Sequence, residues 1–418
     1  MALRRLFGAS PLPQVRPRSG AAARSLLQQF VLEEPEPGPQ DDAEPAPPPS
    51  VRKPVGLRTE AAPVPAAPAP PSPALPERPP PRLRPRGLQV DLGTTPDGSS
   101  LIWDAALQLN AFVAAVGSSG SGKTGLLRLF ASSARAAGVP VVLLDVHGDL
   151  RLPRIPSYPI GRGGYSVNPL LLPGPLREQG ASLAAAPLIE GAQLGRVQQQ
   201  LLRDAVEQLL ERPGTAGPPT VAALQQLLRE QSGPSVPGLI AAVSSTYDPV
   251  AFSGRPLGAS LLLTGAHVDL TPLAGNDRAQ VLVVQALLTQ LWGELQARGP
   301  VPAGAPGLRL LVVLDEASKL QHSPIVDRLV KEARKFGLGL CIAAQLPAEL
   351  SEAVRTNAGT AVVLPMLEGL RKAADFIGTL RPEQVGQLRG PGDAWIRFRT
   401  AEGPTTERVQ LRHDKEPA

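Results

Sequence analysis

The chain has 418 residues, a formal net charge of +5 and one cysteine, Cys341. This length allows roughly two to three domains. The lone thiol excludes an internal disulfide framework and fits a reducing, cytoplasmic setting. No uninterrupted apolar run of about 18 residues is present to span a membrane.

Residues 1–87 carry 22 of the 49 prolines, with 12 Lys/Arg against 8 Asp/Glu, which leaves 30 against 29 in the remaining 331 residues. The basic excess therefore belongs to the tail and says little about a polyanion partner for the rest. Residues 1–32 hold five Arg and no acid. That composition suits a transit peptide or a basic disordered tail, and the Pro/Ala-rich stretch after it favours the second. Residues 33–86 bury too little apolar surface to fold and are expected to form an extended linker. We therefore expect a disordered tail over 1–87 and one α/β domain over 88–418.

The expected domain opens with two strands around Thr94-Thr95-Pro96-Asp97-Gly98, a hairpin turn. Residues 111–116 are a short apolar run, read as a buried parallel strand. It leads into Gly117-Ser118-Ser119-Gly120-Ser121-Gly122-Lys123-Thr124, which fits G-x-x-x-x-G-K-[ST] at every fixed position. This is a P-loop. Glycines there let successive backbone N–H groups turn inward onto phosphate oxygens. Lys123 is expected at the β/γ-phosphates of a nucleoside triphosphate, and the Thr124 hydroxyl on Mg²⁺. The helix over 122–137 points its positive end at the same anion. A second apolar strand, 141–145, ends at Asp145 and is followed by Val146-His147-Gly148-Asp149. Asp145, His147 and Asp149 thus lie near the expected site, without an assigned role.

Residues 150–258 change character. Loop-like sequence over 152–165 precedes three stretches of helical spacing, 193–211, 220–230 and 236–247, which we read as a mainly helical insertion. The α/β pattern then resumes, with a strand over 260–264, a long helix over 277–298 and a strand over 308–314 reaching Asp315-Glu316. Next come a helix over 323–336, a strand over 338–344 reaching Gln345, a helix over 347–356 and a strand over 359–364. Two short helices (368–378, 382–388) and two strands (394–399, 407–411) close the chain. Such alternation implies an α/β fold, a mostly parallel sheet with helices on both faces. Ligands of such sheets sit at the strands' carboxyl ends, where Asp145, Asp315, Glu316 and Gln345 all fall.

Leu308-Arg309-Leu310-Leu311-Val312-Val313-Leu314-Asp315-Glu316 is a Walker B element. Asp315 is expected in the Mg²⁺ shell and Glu316 as the base or water-orienting group for attack on the γ-phosphate. Gln345 suits a sensor that bridges the attacking water or γ-phosphate. Arg334 in Lys331-Glu332-Ala333-Arg334-Lys335-Phe336-Gly337 is either a solvated helix end or an arginine that enters a neighbour's site.

Taken together, GSSGSGKT, VVLLDVHGDL, LLVVLDEASKL and EARKFGLGLCIAAQLP resemble the HerA/FtsK superfamily of P-loop motors. The flavour is that of the HerA helicase core and of conjugative or type IV secretion ATPases. The resemblance spans about residues 88–411. It implies a RecA-like P-loop NTPase fold and a hexameric ring that uses ATP and Mg²⁺ to move double-stranded DNA, with a nuclease or a secretion or conjugation complex as partner. It also implies that Lys123, Glu316, Gln345 and Arg334 are catalytic, Arg334 acting in the neighbouring subunit. The alternatives are an energising ATPase of a conjugation or secretion complex, or a slow nucleotide-dependent scaffold. One departure stands out: the tail and one hairpin take the place of HerA's N-terminal β-barrel.

Overall fold

The polar strand ends meet because of the order in which the strands are laid side by side. The computed structural model describes residues 87–412 except 174–175, 177–179, 212–218, 250, 303–306 and 322. Apart from Gly87, the tail expected over residues 1–87 lies outside the described residues.

In chain order, β1 (Gln89–Thr94) and β2 (Ser100–Asp104) form an antiparallel hairpin. β3 (Phe112–Val116), α1 (Lys123–Ala136) and β4 (Val141–Asp145) follow. Two short strands, β5 (Ser157–Pro159) and β6 (Tyr165–Ser166), precede helices α2 (Gly180–Ala192), α3 (Arg196–Glu211), α4 (Val221–Glu230) and α5 (Val236–Thr246). Then come β7 (Arg255–Pro256), α6 (Ala259–Leu262), β8 (Ala266–Asp269), α7 (Asp277–Ala297) and β9 (Leu310–Leu314). The chain continues through α8 (Pro324–Phe336), β10 (Leu338–Ala344), α9 (Glu352–Asn357) and β11 (Thr360–Val363). It closes with α10 (Leu370–Ile377), α11 (Pro382–Val385), β12 (Asp393–Thr400) and β13 (Gly403–Leu411).

Among the described residues the main sheet has eleven strands, in the order β2-β1-β13-β12-β11-β3-β10-β9-β4-β8-β5. From β11 to β5 every pairing is parallel, and from β11 outward to β2 every pairing is antiparallel. The parallel half is covered on both faces, which is why β3, β4, β9 and β10 are buried at every position and apolar throughout, save for Asp145 at the end of β4. Side chains alternate between the faces. Phe112, Ala114 and Val116 of β3 join the larger core under α2–α5, α7 and α8, whereas Val113 and Ala115 face α1 and the hairpin. No helix among the described residues is long and apolar enough to cross a membrane.

Two local expectations are corrected, and one helix, α2, was not expected. The strand expected over 260–264 is instead helix α6 and its exit turn, and the sheet strand is β8, at 266–269. The run Leu261-Leu262-Leu263 is apolar, but Leu261 is 51% exposed, so the segment is buried on one side only. Gly265, at φ 99°, then turns the chain into β8, whose polar His267 and Asp269 disguise it as a loop. Helix α2 gives no periodic signal, because its small apolar residues are buried around most of its circumference, Pro187 included. The helix expected over 347–356 breaks into a 3₁₀ turn at Pro347–Glu349 and α9. Leu350 is extended there, and the Ser351 hydroxyl accepts from Val354 N at 3.2 Å to start α9 afresh.

Candidate nucleotide site

The P-loop leaves β3 between the ends of β10 and β11. Gly117 N donates to Ala344 O (3.3 Å), and Ser118 N donates to Pro365 O (3.0 Å). A side chain at Gly117 would place its Cβ 2.6 Å from Ser121 Oγ and 2.7 Å from Leu364 Cβ. At Gly122, φ is 106° and a Cβ would lie 2.9 Å from Gly392 N, itself bonded to Ser121 O. Both positions therefore need glycine, one for space and one for conformation as well. Helix α1 starts at Lys123 with no side-chain cap and no acid in its first turn, so its leading N–H groups and positive end stay available to an anion.

Lys123 folds over the loop, its Nζ donating to Gly117 O (2.6 Å) and Ser118 O (2.8 Å). Burial holds its ammonium below the ordinary lysine value, against the opposing charges of Glu316 and Glu349. Across the cleft, Asp315 Oδ1 accepts from Val146 N at 3.2 Å, while its buried Oδ2 has no hydrogen-bond partner. Burial first, and the charge of Asp145 second, push this carboxyl up to about 6, against the bond from Val146. Glu316 Oε2 lies 3.5 Å from His147 Nε2, and its Oε1 accepts from Ser318 N at 3.4 Å.

These groups line one cleft of about 620 Å³, with Ser119, Gly120, Gly122, Lys123, Thr124, His147, Asp149, Asp315, Glu316 and Gln345 on its walls. The orphaned Asp315 oxygen, with Thr124 on the same cleft, fits a hard cation that prefers oxygen ligands. No group of three or more His, Cys, Asp or Glu converges on a metal position among the described residues. The donor set therefore suits a metal that arrives with phosphates and keeps several waters, as Mg²⁺ does.

The structure thus brings together the phosphate loop, Asp315, Glu316 and Gln345. It does not bring Arg334 to them. That residue sits in the last turn of α8, which runs back from the Walker B end, and so lies at the opposite edge of the sheet. Its Nη1 donates to Leu109 O (2.7 Å), and it lines a separate 840 Å³ cavity with Gln108, Asn110, Lys331 and Lys335.

Two further side chains brace this edge of the sheet. Glu349 Oε2 accepts from the N–H groups of Gln345 (2.8 Å) and Leu346 (3.3 Å), fixing the backbone that carries Gln345. Only the acid three residues after Leu346 hinted at it, one half of a helix-start box whose other half a leucine cannot supply. His267 reaches the buried Asp145 from β8, and no sequence signal marked it.

No protein-family model and no curated protein matches the sequence. Solved structures do match. VirB4 of Thermoanaerobacter pseudethanolicus is similar over 78% of this chain and 96% of its own, with a TM-score of 0.61 and 16% identity. The bacterial conjugative coupling protein TrwB covers 78% of this chain and 89% of its own, with a TM-score of 0.54 and 14% identity. TrwB solved with the non-hydrolysable ATP analogue ADPNP matches 73% of this chain and 86% of its own, at a TM-score of 0.55 and 14% identity. At these identities the likeness speaks for the fold: the described chain is a RecA-like P-loop NTPase fold, of the form seen in VirB4 and TrwB.

Proposed function

We propose that this chain is a Mg²⁺-dependent ATPase that works as a ring-shaped motor, with double-stranded DNA as its cargo. One observation carries the reading: the P-loop, the unpaired Asp315 oxygen, Glu316 and Gln345 face one cleft. Complexes of TrwB with ADPNP and with ADP and Mg²⁺ support ATP and Mg²⁺ as the ligands here. In this reading the residues 117–122 hold the phosphates through backbone N–H groups, and Lys123 swings from its two carbonyls onto the β/γ-phosphates. Thr124 and Asp315 would hold Mg²⁺, which when bound supplies charge neutralisation at the transferred phosphoryl group. Glu316, held between His147 and Ser318 N, orients and deprotonates the attacking water. Gln345 contacts the water or γ-phosphate and reports hydrolysis through the strand end that Glu349 clamps. Arg334 completes the site of the next copy in the ring.

The likeness to VirB4 and to a conjugative coupling protein favours a second reading equally, an ATPase that energises a conjugation or secretion complex. Steady-state ATP hydrolysis with and without double-stranded DNA separates the two. A DNA motor is expected to hydrolyse faster with DNA, and Lys123→Ala to abolish both rates. Equal rates with and without DNA would reject the DNA cargo and leave the energising ATPase.

A further inference from the structure

We infer that His267, braced by Ser157, is a positioning residue for the hydrolytic carboxylates: through Asp145 it fixes the turn that brings Val146 and His147 onto Asp315 and Glu316. The inference rests on the roles proposed above for those two carboxylates.

The His267 side chain is 5% exposed and spans two partners. Ser157 Oγ lies 2.9 Å from its Nδ1, and Asp145 Oδ2 lies 2.8 Å from its Nε2. An ionised carboxylate only accepts, so Nε2 donates to Asp145, while Nδ1 is bonded to the serine hydroxyl, which can serve as donor or acceptor. Strand pairing makes this reach possible. His267 is in register with Ser157 of β5 on one side and with Leu143 of β4 on the other, two residues before Asp145.

Asp145, 0% exposed, is fully engaged. Its Oδ1 accepts from Gly148 N (2.7 Å) and Asp149 N (3.0 Å), and its Oδ2 accepts from Leu150 N (3.2 Å) as well as from His267. These bonds, His267 foremost, outweigh the burial that opposes its charge and hold the carboxyl below its ordinary value. Four donors leave the carboxylate nothing for solvent or substrate, so what it does is define the 146–150 turn. That turn ends on the site: Val146 N bonds Asp315 Oδ1 at 3.2 Å, and His147 Nε2 stands 3.5 Å from Glu316 Oε2. Ser157, His267 and Asp145 have the composition of a nucleophilic triad. Here, however, the carboxylate sits on Nε2 and is spent on backbone N–H groups. The geometry is that of a brace running from the outer strands β5 and β8 to the end of β9. Misplacing reacting groups by about 1 Å costs up to roughly 10²-fold in rate, which gives such a brace kinetic weight.

The test compares His267→Leu, which removes the donor to Asp145, with His267→Gln, whose amide returns an N–H near the Nε2 position. In the Leu variant of the full chain, kcat for ATP hydrolysis is expected to fall about tenfold. KM and the affinity for a fluorescent non-hydrolysable ATP analogue should stay unchanged, and the Gln variant should recover most of kcat. Hydrogen exchange provides a readout independent of hydrolysis: the amides of Gly148, Asp149 and Leu150 lose protection in the Leu variant and regain it in the Gln variant. Should the Leu variant not fold, Ser157→Ala, which removes only the brace on Nδ1, is expected to show the same pattern more weakly. A lowered melting temperature with wild-type kcat and wild-type amide protection would make His267 a packing residue and overturn the inference. If the wild type shows no hydrolysis that Lys123→Ala removes, the proposed activity fails, and the exchange result alone decides whether His267 holds the turn.

Discussion

The two edges of the parallel sheet differ in what each lacks. At the carboxyl-terminal edge, Lys123, Asp315, Glu316 and Gln345 share a cleft, but among the described residues no arginine lines it. At the amino-terminal edge, Lys331, Arg334 and Lys335 line a cavity without a phosphate loop, beside Leu107 and Leu109, which are 65% and 42% exposed. The reason is the path of α8, which begins beyond the Walker B strand end and returns along the sheet before β10. An arginine near the end of that helix cannot serve its own P-loop. If Arg334 acts in hydrolysis, it acts on a second copy stacked head to tail, an arrangement that closes into a ring when its rotation closes.

The strongest way to probe this contrast is to disable each edge separately. Glu316→Gln is expected to lower kcat for ATP hydrolysis by about 10⁴-fold while retaining ATP-analogue binding, because only the activation of water is removed. Arg334→Ala is expected to lower kcat by about 10³-fold through loss of transition-state charge neutralisation. Mixing the two variants then asks whether the edges meet. Partial recovery of hydrolysis in the mixture is the outcome for sites shared between copies, since some interfaces regain an intact glutamate facing an intact arginine. No recovery at any ratio would return Arg334 to the status of a solvated helix end.

A smaller effect sharpens the chemistry of the first edge. The Asp315 carboxyl is raised from 3.8 to about 6, chiefly by burial. Between those values the folded chain keeps a proton that the unfolded chain has released, so stability falls as pH rises through the window and stays lower above it. The shift corresponds to about 3 kcal/mol of penalty for the ionised form. Asp315→Asn should therefore stabilise the nucleotide-free, Mg²⁺-free protein by about 1–3 kcal/mol near pH 8, a gain that vanishes below about pH 4. Denaturant unfolding at the two pH values measures it. The same variant should lose Mg²⁺-dependent hydrolysis, and a destabilised variant at high pH would contradict the buried, unpaired state of Oδ2.

Much of this site was legible because its signals are local. The P-loop announces itself through glycines whose need is steric: Gly117 and Gly122 each face atoms within 3 Å of where a Cβ would stand. Asp145, Asp315 and Gln345 were placed together by one rule about strand ends, and their strands were found because two-sided burial writes an unbroken apolar run. The rule failed at β8. A short strand that buries a histidine has no apolar run to show, and the leucines just before it drew the assignment to α6 instead. Helix α2, buried on most sides, lacked a period for the same kind of reason.

By itself, then, the sequence determined the strand, glycine loop and helix around Gly117–Thr124, the strand-end position of Asp315 and Glu316 and the α/β alternation, since each depends on backbone conformation and burial within a few neighbouring residues. The tertiary structure alone decided the rest. It set Arg334 at the far edge and pushed the Asp315 carboxyl upward. It also joined His267 to Asp145 across 122 positions of chain. Those properties depend on which strands lie side by side and on what is excluded from water between them, and neither is written in the spacing of residues along the chain.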